Sequence, residues 1–215
     1  MPLAQLDIAN LALAHLAIGR PIGSMAEATQ NARVMTQFYA QARDEALRAF
    51  TWPFATKFAT LTSVAGPSPR ASVDFLYSYR YPADCAYARK LRTQPRRPDL
   101  REARVPFVTA QDGTGRLILT DAVPVAAAGD FPAYPQLEYT VAVDESLWPT
   151  DFAQAVSYLL AFKSAPVLTA GDPQKLGTRA FGEYDRMIRR AWEDSLNERE
   201  EDIDEPECGF LTARD

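Results

Sequence analysis

The stretch that decides the fold is RDEALRAFTWPFATKFATL, residues 43–61. Its first half has the spacing of an amphipathic helix. Pro53 limits that helix at Trp52, because the residue before a proline is pushed away from the α region. The period then changes, and a short strand is predicted over residues 58–64. The stretch therefore marks a junction between a helical region and a sheet region, and it contains no residue pattern typical of catalysis.

Two helices are predicted before this junction. Residues 4–18 are apolar on most sides, which is typical of a helix buried in a core. Ser24 and Glu27 have the spacing of a capping box, which predicts that a second helix starts near residue 25 and runs to about residue 50.

The middle of the chain is predicted to be rich in strands. An alternation of aromatic residues indicates a strand with one aromatic face: Phe75, Tyr77, Tyr79 and Tyr81. Further strands are predicted over residues 86–91, 105–109, 116–120 and 137–143. The sequence Asp-Gly-Thr-Gly at residues 112–115 predicts a hairpin turn between two of these strands.

The last part of the chain is predicted to be helical again. One helix is expected over about residues 151–168, and Asp172 with Pro173 has the pattern of a cap and first residue of another. Nine acids and one arginine occupy residues 193–207. Because like charges near a helix C-terminus oppose the macrodipole, we expect the end of the chain to order only against a partner.

These elements predict an α+β fold: an antiparallel four-helix bundle with an inserted β-strand region between helices 2 and 3 and a flexible C-terminal arm. Residues 1–56 and 145–198 would form the bundle, residues 57–144 the β-rich insertion, and residues 199–215 the acidic arm. Four aromatic residues are expected to fix the bundle to the insertion: Trp52, Phe54, Tyr79 and Tyr81.

The charge of the chain is unevenly distributed. The net charge of −5 argues against a general nucleic-acid binder, because neutralising phosphates requires a basic surface. Residues 86–104, however, hold seven Arg or Lys against two acids. Within them the loop at residues 93–104 is basic at Arg96, Arg97 and Arg101. A solvated loop, a contact with an acidic protein and a nucleic-acid contact all fit this pattern, although the loop lacks aromatics for base stacking.

Candidate catalytic residues are few. His15 is the only histidine and lies in an apolar helix, so His-based acid–base chemistry has no evident partner. Cys85 would need a neighbouring base to act as a nucleophile, and it is predicted to be a small buried residue. Cys85 and Cys208 have no metal-ligand or redox spacing. We therefore expect no catalytic, cofactor-binding or metal-binding residues and no enzyme activity.

Several segments, taken in order and spacing, carry a family resemblance: residues 8–32, 43–47, 52–55, 79–85, 137–139, 148–155, 159–161 and 184–191. They resemble the tail tubular protein A family, the head-to-tail adaptor (gatekeeper) proteins of short-tailed bacteriophages. The most recognisable element is Arg-Asp-Glu-Ala-Leu at residues 43–47 followed by Trp-Pro-Phe-Ala at residues 52–55.

The resemblance implies a structural protein of the virion tail or neck, assembled in the host cytoplasm. Members of this family form a ring, usually of twelve copies, between the portal protein and the tail nozzle or fibres. The ring extends the DNA channel, so DNA passes through it without specific binding, and no membrane is involved. A peptidoglycan-degrading activity has been suggested for some members.

Ring subunits contact each other head to tail, which needs two different complementary surfaces on each subunit. We expect the arm, anchored by Ile203, Phe210 and Leu211, to dock on the portal or a neighbouring subunit. The basic loop would contact the tail side or a neighbouring subunit. The alternatives are another phage neck or head-completion protein, a helical binding module unrelated to phage and, least favoured, a cell-wall-degrading tail enzyme.

Overall fold

The computed structural model describes residues 3–64, 75–93, 105–127, 133–169 and 173–197. Within these ranges the chain forms four α-helices and six β-strands. The helices are α1 (Gln5–His15), α2 (Gln30–Ala49), α3 (Thr150–Leu168) and α4 (Pro173–Asn197). The strands are β1 (Thr56–Thr60), β2 (Tyr77–Arg80), β3 (Cys85–Arg92), β4 (Phe107–Asp112), β5 (Gly115–Thr120) and β6 (Gln136–Val141). Two short 3₁₀ turns, Pro53–Ala55 and Glu145–Leu147, flank the strand-rich region.

The predicted four-helix bundle with one inserted strand region is wrong. The strands form two separate three-stranded antiparallel sheets, with the orders β1-β6-β3 (sheet A) and β2-β5-β4 (sheet B), so the fold is a mixed α+β arrangement. The central strands β5 and β6 are buried over most of their length. Each of these strands has a partner on both sides. The turn at residues 81–84, in which the Cys85 amide donates to the Pro82 carbonyl at 3.1 Å, leads the chain from sheet B into sheet A.

The helices are organised around α3. This helix packs against α1, α2 and α4, whereas α1 and α2 make little contact with each other. Its buried residues lie on most sides, and many of them are small. Small side chains let three neighbouring helices approach one central helix, so the arrangement differs from a bundle in which each helix packs on two neighbours.

The start of α2 differs from the predicted capping box. The Ser24 hydroxyl accepts a hydrogen bond from the Ala26 amide, and the Glu27 carboxylate accepts one from the Gly23 amide at 2.8 Å. These bonds close a separate turn before the helix. The helix begins at Gln30, where the Thr29 hydroxyl caps it.

Two hydrophobic cores result from this arrangement. The larger one lies between the four helices and includes Trp52. The second lies between the sheets and includes Tyr79, Tyr81, Leu137 and other strand residues. The hairpin between β4 and β5 is confirmed, with Asp112 opposite Gly115.

Candidate functional site

Trp52 is the centre of an aromatic cluster in the helical core. Its side chain is 1 % exposed, and its indole N–H donates to the Ala46 carbonyl at 3.0 Å. Four rings surround it with centroids 4.9–5.9 Å away, those of Phe50, Phe54, Phe152 and Trp192. The predicted junction residues Trp52 and Phe54 therefore pack among the helices.

Tyr79 and Tyr81 belong to the other core. The Tyr79 hydroxyl donates to the Ala122 carbonyl, and burial raises the pKa of both tyrosines to about 12. The guanidinium of Arg116 lies 3.8 Å from the centre of the Tyr81 ring. The four junction aromatics therefore lie in two separate cores. Trp52 and Phe54 pack among the helices, and Tyr79 and Tyr81 pack between the sheets.

Arg89 links the helices to sheet A, although no pattern in the sequence distinguishes this residue. Its Nη2 donates to the carbonyl oxygens of Phe50 at 2.7 Å and Leu47 at 2.8 Å, and it also bonds the Arg48 carbonyl at 3.3 Å. Its Nε donates to the Thr140 hydroxyl at 2.8 Å. The guanidinium therefore donates hydrogen bonds to carbonyls at the C-terminus of α2 that have no partner within the helix. Positive charge is also favoured at this end of a helix.

A register shift in β3 places Arg89. The shift lies between Ala88 and Lys90, so Arg89 is the extra residue of a β-bulge opposite β6. A bulge bends its strand and redirects a side chain. Nothing in the local sequence distinguishes this arginine from its basic neighbours, because both the bulge and the helix end are tertiary features.

One face of sheet A is basic and aromatic. Strands β1 and β3 place Phe58, Tyr87, Lys90 and Arg92 on the same side as Thr140 and Glu138 of β6. With Arg48 and Arg89 they form what we call the basic face: Arg48, Phe58, Tyr87, Arg89, Lys90 and Arg92. The guanidinium of Arg48 lies 5.2 Å from the Tyr87 ring centre, and that of Arg92 lies 5.2 Å from the Phe58 ring centre.

His15 has a partner that is distant in sequence. Its Nε2 lies 3.1 Å from the Ser157 hydroxyl, and its ring stacks on Tyr158 with centroids 3.8 Å apart. The Ser157 hydroxyl donates its proton to the Gln154 carbonyl at 2.7 Å, so it accepts from the imidazole. Burial lowers the pKa of His15, which favours the neutral ring. Because Ser157 is fully buried, the pair joins α1 to α3 rather than forming a reactive serine.

Cys85 lies at the start of β3 and is buried. Burial raises the pKa of its thiol, which keeps the group protonated. Since the thiolate is the nucleophilic form, this environment suits packing rather than covalent chemistry.

A cavity of about 230 Å³ in the described part of the chain has the Glu27 carboxylate in its lining, and a smaller cavity has two carboxylates. The smaller cavity has a volume of about 50 Å³ and lies beside Trp52, with Asp151 and Asp194 among its lining residues. Ligand pockets typically measure about 300–1,000 Å³, so a sugar ring does not fit in the smaller cavity.

The described residues include no group of three or more His, Cys, Asp or Glu side chains that could hold a metal ion. None of the helices in the described ranges is long and apolar enough to cross a membrane. The two charged segments predicted to make contacts lie outside the described residues. These are the basic loop with Arg96, Arg97 and Arg101, and the arm with Ile203, Phe210 and Leu211.

No family model matches the chain, and no curated protein matches it.

Proposed function

We propose that this chain is a structural head-to-tail adaptor (connector) subunit of a bacteriophage tail. Twelve copies would form a ring between the portal and the tail nozzle and extend the DNA channel. The proposal starts from the ordered segments that resemble the tail tubular protein A family. It places the protein in the virion neck, with a role that does not involve catalysis.

The observation that carries the proposal is that two different groups of apolar side chains are exposed, one aromatic and one aliphatic. The first lies on the helices, where Phe162 is 37 % and Phe181 is 44 % exposed, with ring centroids 5.0 Å apart. The second lies near the end of sheet B, where Leu76 and Val123 are 70 % and 56 % exposed. Exposed apolar groups are typical of contact surfaces when they cluster.

Two unlike groups on different parts of one chain suit a heterologous contact. In such a contact one surface of a subunit meets a different surface of the next, and a ring closes when the rotation allows it. A symmetric dimer would need one self-complementary surface. The two groups could supply the two different surfaces that a ring of this kind requires.

Three of the groups that could serve a hydrolase have other roles in the described part of the chain. His15 and Ser157 join two helices, and Cys85 is buried in the sheet core. This supports the non-enzymatic form of the proposal over the cell-wall-degrading alternative.

The direct test is negative-stain imaging of the purified chain, alone and mixed with a portal protein. We expect rings with a central hole that stack coaxially on the portal. The variant Phe181→Glu should abolish ring formation, because it buries a carboxylate at the subunit contact. Arg179→Glu adds a carboxylate on the opposite side of α4 by helical periodicity and should leave the rings intact. Monomers or two-fold dimers under all conditions would contradict the proposal.

A further inference from the structure

Strand β4 lies at an outer edge of sheet B. In the order β2-β5-β4, its neighbour among the described strands is β5. The Tyr81 amide donates to the Arg116 carbonyl at 3.1 Å, so Arg116 and every second residue after it on β5 turn their backbone groups toward β2. The residues between them face β4, where they pair with Val108, Ala110 and Asp112. The remaining β4 residues therefore direct their N–H and C=O groups to the outer edge of the sheet: Phe107, Thr109 and Gln111.

The sequence and geometry of β4 suit pairing with another strand. Edge strands are commonly protected from such pairing by charged side chains or by bulges. Residues 107–111 (FVTAQ) are uncharged, and β4 pairs with β5 over six consecutive residues without a register shift. Side chains of β4 are exposed on both faces of the sheet, with Val108 40 % exposed on one face and Thr109 exposed on the other. The charge of Asp112, at the hairpin end, is paired with Arg80 at 3.0 Å.

The outer edge of β4 is complementary to itself in an antiparallel pairing. When two copies of the strand are placed with Thr109 opposite Thr109, each Phe107 lies opposite a Gln111, and every residue in these pairs directs its N–H and C=O to the other strand. The three pairs allow about six backbone hydrogen bonds, two from each pair. On the other face of the joined sheet, Val108 lies opposite Ala110. This register places apolar beside apolar and hydroxyl beside hydroxyl, and it brings no like charges together within residues 107–111.

We propose that β4 is a docking edge for a second copy of this chain, so that two three-stranded sheets join across a two-fold axis at Thr109. A two-fold contact needs one surface that is complementary to itself, and the outer edge of β4 has this property. An uncharged edge offers no cation to a phosphate or to an acidic peptide, which favours a second strand of the same kind as the occupant. The contact does not involve Phe162 or Phe181, so this inference does not depend on the adaptor function, and the pairing can occur with or without the ring.

Disulfide cross-linking between two variants of the full-length chain tests this register. One variant carries Val108→Cys and the other Ala110→Cys, both with Cys208→Ser, and diamide is the oxidant. In the proposed pairing these two positions face each other with Cα atoms about 4.5 Å apart, a distance that a disulfide spans. Two copies of the same variant place their new cysteines about 8 Å apart, which is beyond the reach of a disulfide. We expect the mixture to give several-fold more covalent dimer on a non-reducing gel than either variant alone.

A charge placed on the two-fold axis gives an independent measurement. Thr109→Lys sets two ammonium groups directly opposite each other, so the dimerisation constant should fall several-fold and recover in part in about 1 M NaCl, where the screening length is only about 3 Å. Sedimentation equilibrium measures the constant in a Phe181→Glu background, in which the ring contact is removed. The control Gln41→Lys adds the same charge at an exposed position of α2 and should leave the constant unchanged. Far-UV circular dichroism shows whether each variant is folded.

Three outcomes would overturn the proposal. Equal yields of covalent dimer from the mixture and from each variant alone would show random collision rather than the proposed register. Equal dimerisation constants for Thr109→Lys and Gln41→Lys would place any dimer contact away from β4. A chain that stays monomeric but binds a fluorescent peptide of alternating threonine and valine, with Thr109→Pro abolishing that binding, would assign this edge to an extended segment of another protein.

Discussion

The Arg89 guanidinium donates to the Phe50 carbonyl at 2.7 Å, and this contact joins strand β3 to the end of helix α2. The same side chain bonds Thr140 in the neighbouring strand β6. One side chain therefore connects a helix end and two strands, and the helical region and sheet A are held together by a polar contact as well as by packing.

We predict that Arg89→Ala destabilises the protein by about 2–4 kcal/mol, because it leaves several partly buried carbonyls without their donor. Arg89→Lys should recover little of this loss, since an ammonium group cannot reproduce the fork of guanidinium donors. Chemical denaturation monitored by circular dichroism measures the change. The control is Arg48→Ala, an exposed cation of the same face, for which a change within about 0.5 kcal/mol is expected. Equal effects of the two alanine variants would contradict the role of Arg89.

The two cores should respond independently to mutation. Trp52→Phe is expected to cost about 2 kcal/mol by leaving space in the helical core, and Tyr79→Phe about 1 kcal/mol by removing the bond to the Ala122 carbonyl. Because the residues lie in separate cores, the double variant should be additive within about 0.5 kcal/mol. A coupling energy well above this in a double-mutant cycle would show that the four junction aromatics act as one cluster.

The β4–β5 hairpin should contribute to stability at neutral pH and lose this contribution in acid. The Arg80 guanidinium, 3.0 Å from the Asp112 carboxylate, and the Thr114 hydroxyl hold the pKa of Asp112 well below its usual range. The folded pKa is therefore below the unfolded value of about 4, so the stabilisation is present above pH ~4 and is lost as the pH falls through the folded pKa. Asp112→Asn should flatten the fall of the thermal midpoint in this acid range. Arg80→Met should flatten it in part, and an unchanged acid profile in both variants would refute the assignment.

Deletion of residues 203–215 should abolish attachment to the portal, because it removes the apolar residues that we expect to anchor the arm. Co-sedimentation with portal rings measures the attachment. The double substitution Phe210→Ser and Leu211→Ser in the full-length chain should have the same effect while keeping the acids. Attachment that survives both changes would rule out this anchor.

Charge reversal in the basic loop, Arg96→Glu with Arg97→Glu, should weaken recruitment of the nozzle or fibre protein. The expected cause is repulsion from an acidic partner surface. Far-UV circular dichroism should show that the variant remains folded, and a pull-down with the tail component measures recruitment. Recruitment equal to that of the wild type would count against a tail-side contact at this loop.

Local patterns predicted the elements better than their arrangement. The Asp-Gly-Thr-Gly turn was evident, because a tight reversal between two strands needs such residues, and Gly115 has a positive φ of 149°. The capping box at Ser24 was misleading, since Thr29 starts the helix and Ser24 closes a separate turn. Ser24 and Thr29 are both residue types that cap helices, and the packing of the following residues decides which of them starts this helix.

The candidate contact surfaces were predictable only in part. The charge segregation of residues 86–104 and 193–207 is a property of the sequence. That Phe58, Tyr87 and Arg92 share one face depends on the pairing of β1 and β3 with β6, strands that are far apart in the chain. Likewise His15 meets Ser157 across 142 residues, which no local period encodes.

The sequence by itself determined which segments form helices and strands, where the chain changes from one to the other, and how charge is distributed along it. These properties follow from periodicity, proline and turn chemistry over a few residues. Only the tertiary structure decided that the strands form two sheets, that Trp52 and Tyr79 lie in different cores, and that Arg89 joins β3 to α2. The physical reason is that a strand's period shows which side is buried but not which strand pairs with it. That choice depends on the burial of β6 between β1 and β3 and of β5 between β2 and its hairpin partner β4. The strands β1, β2 and β3 are all distant in the chain from the strands with which they pair.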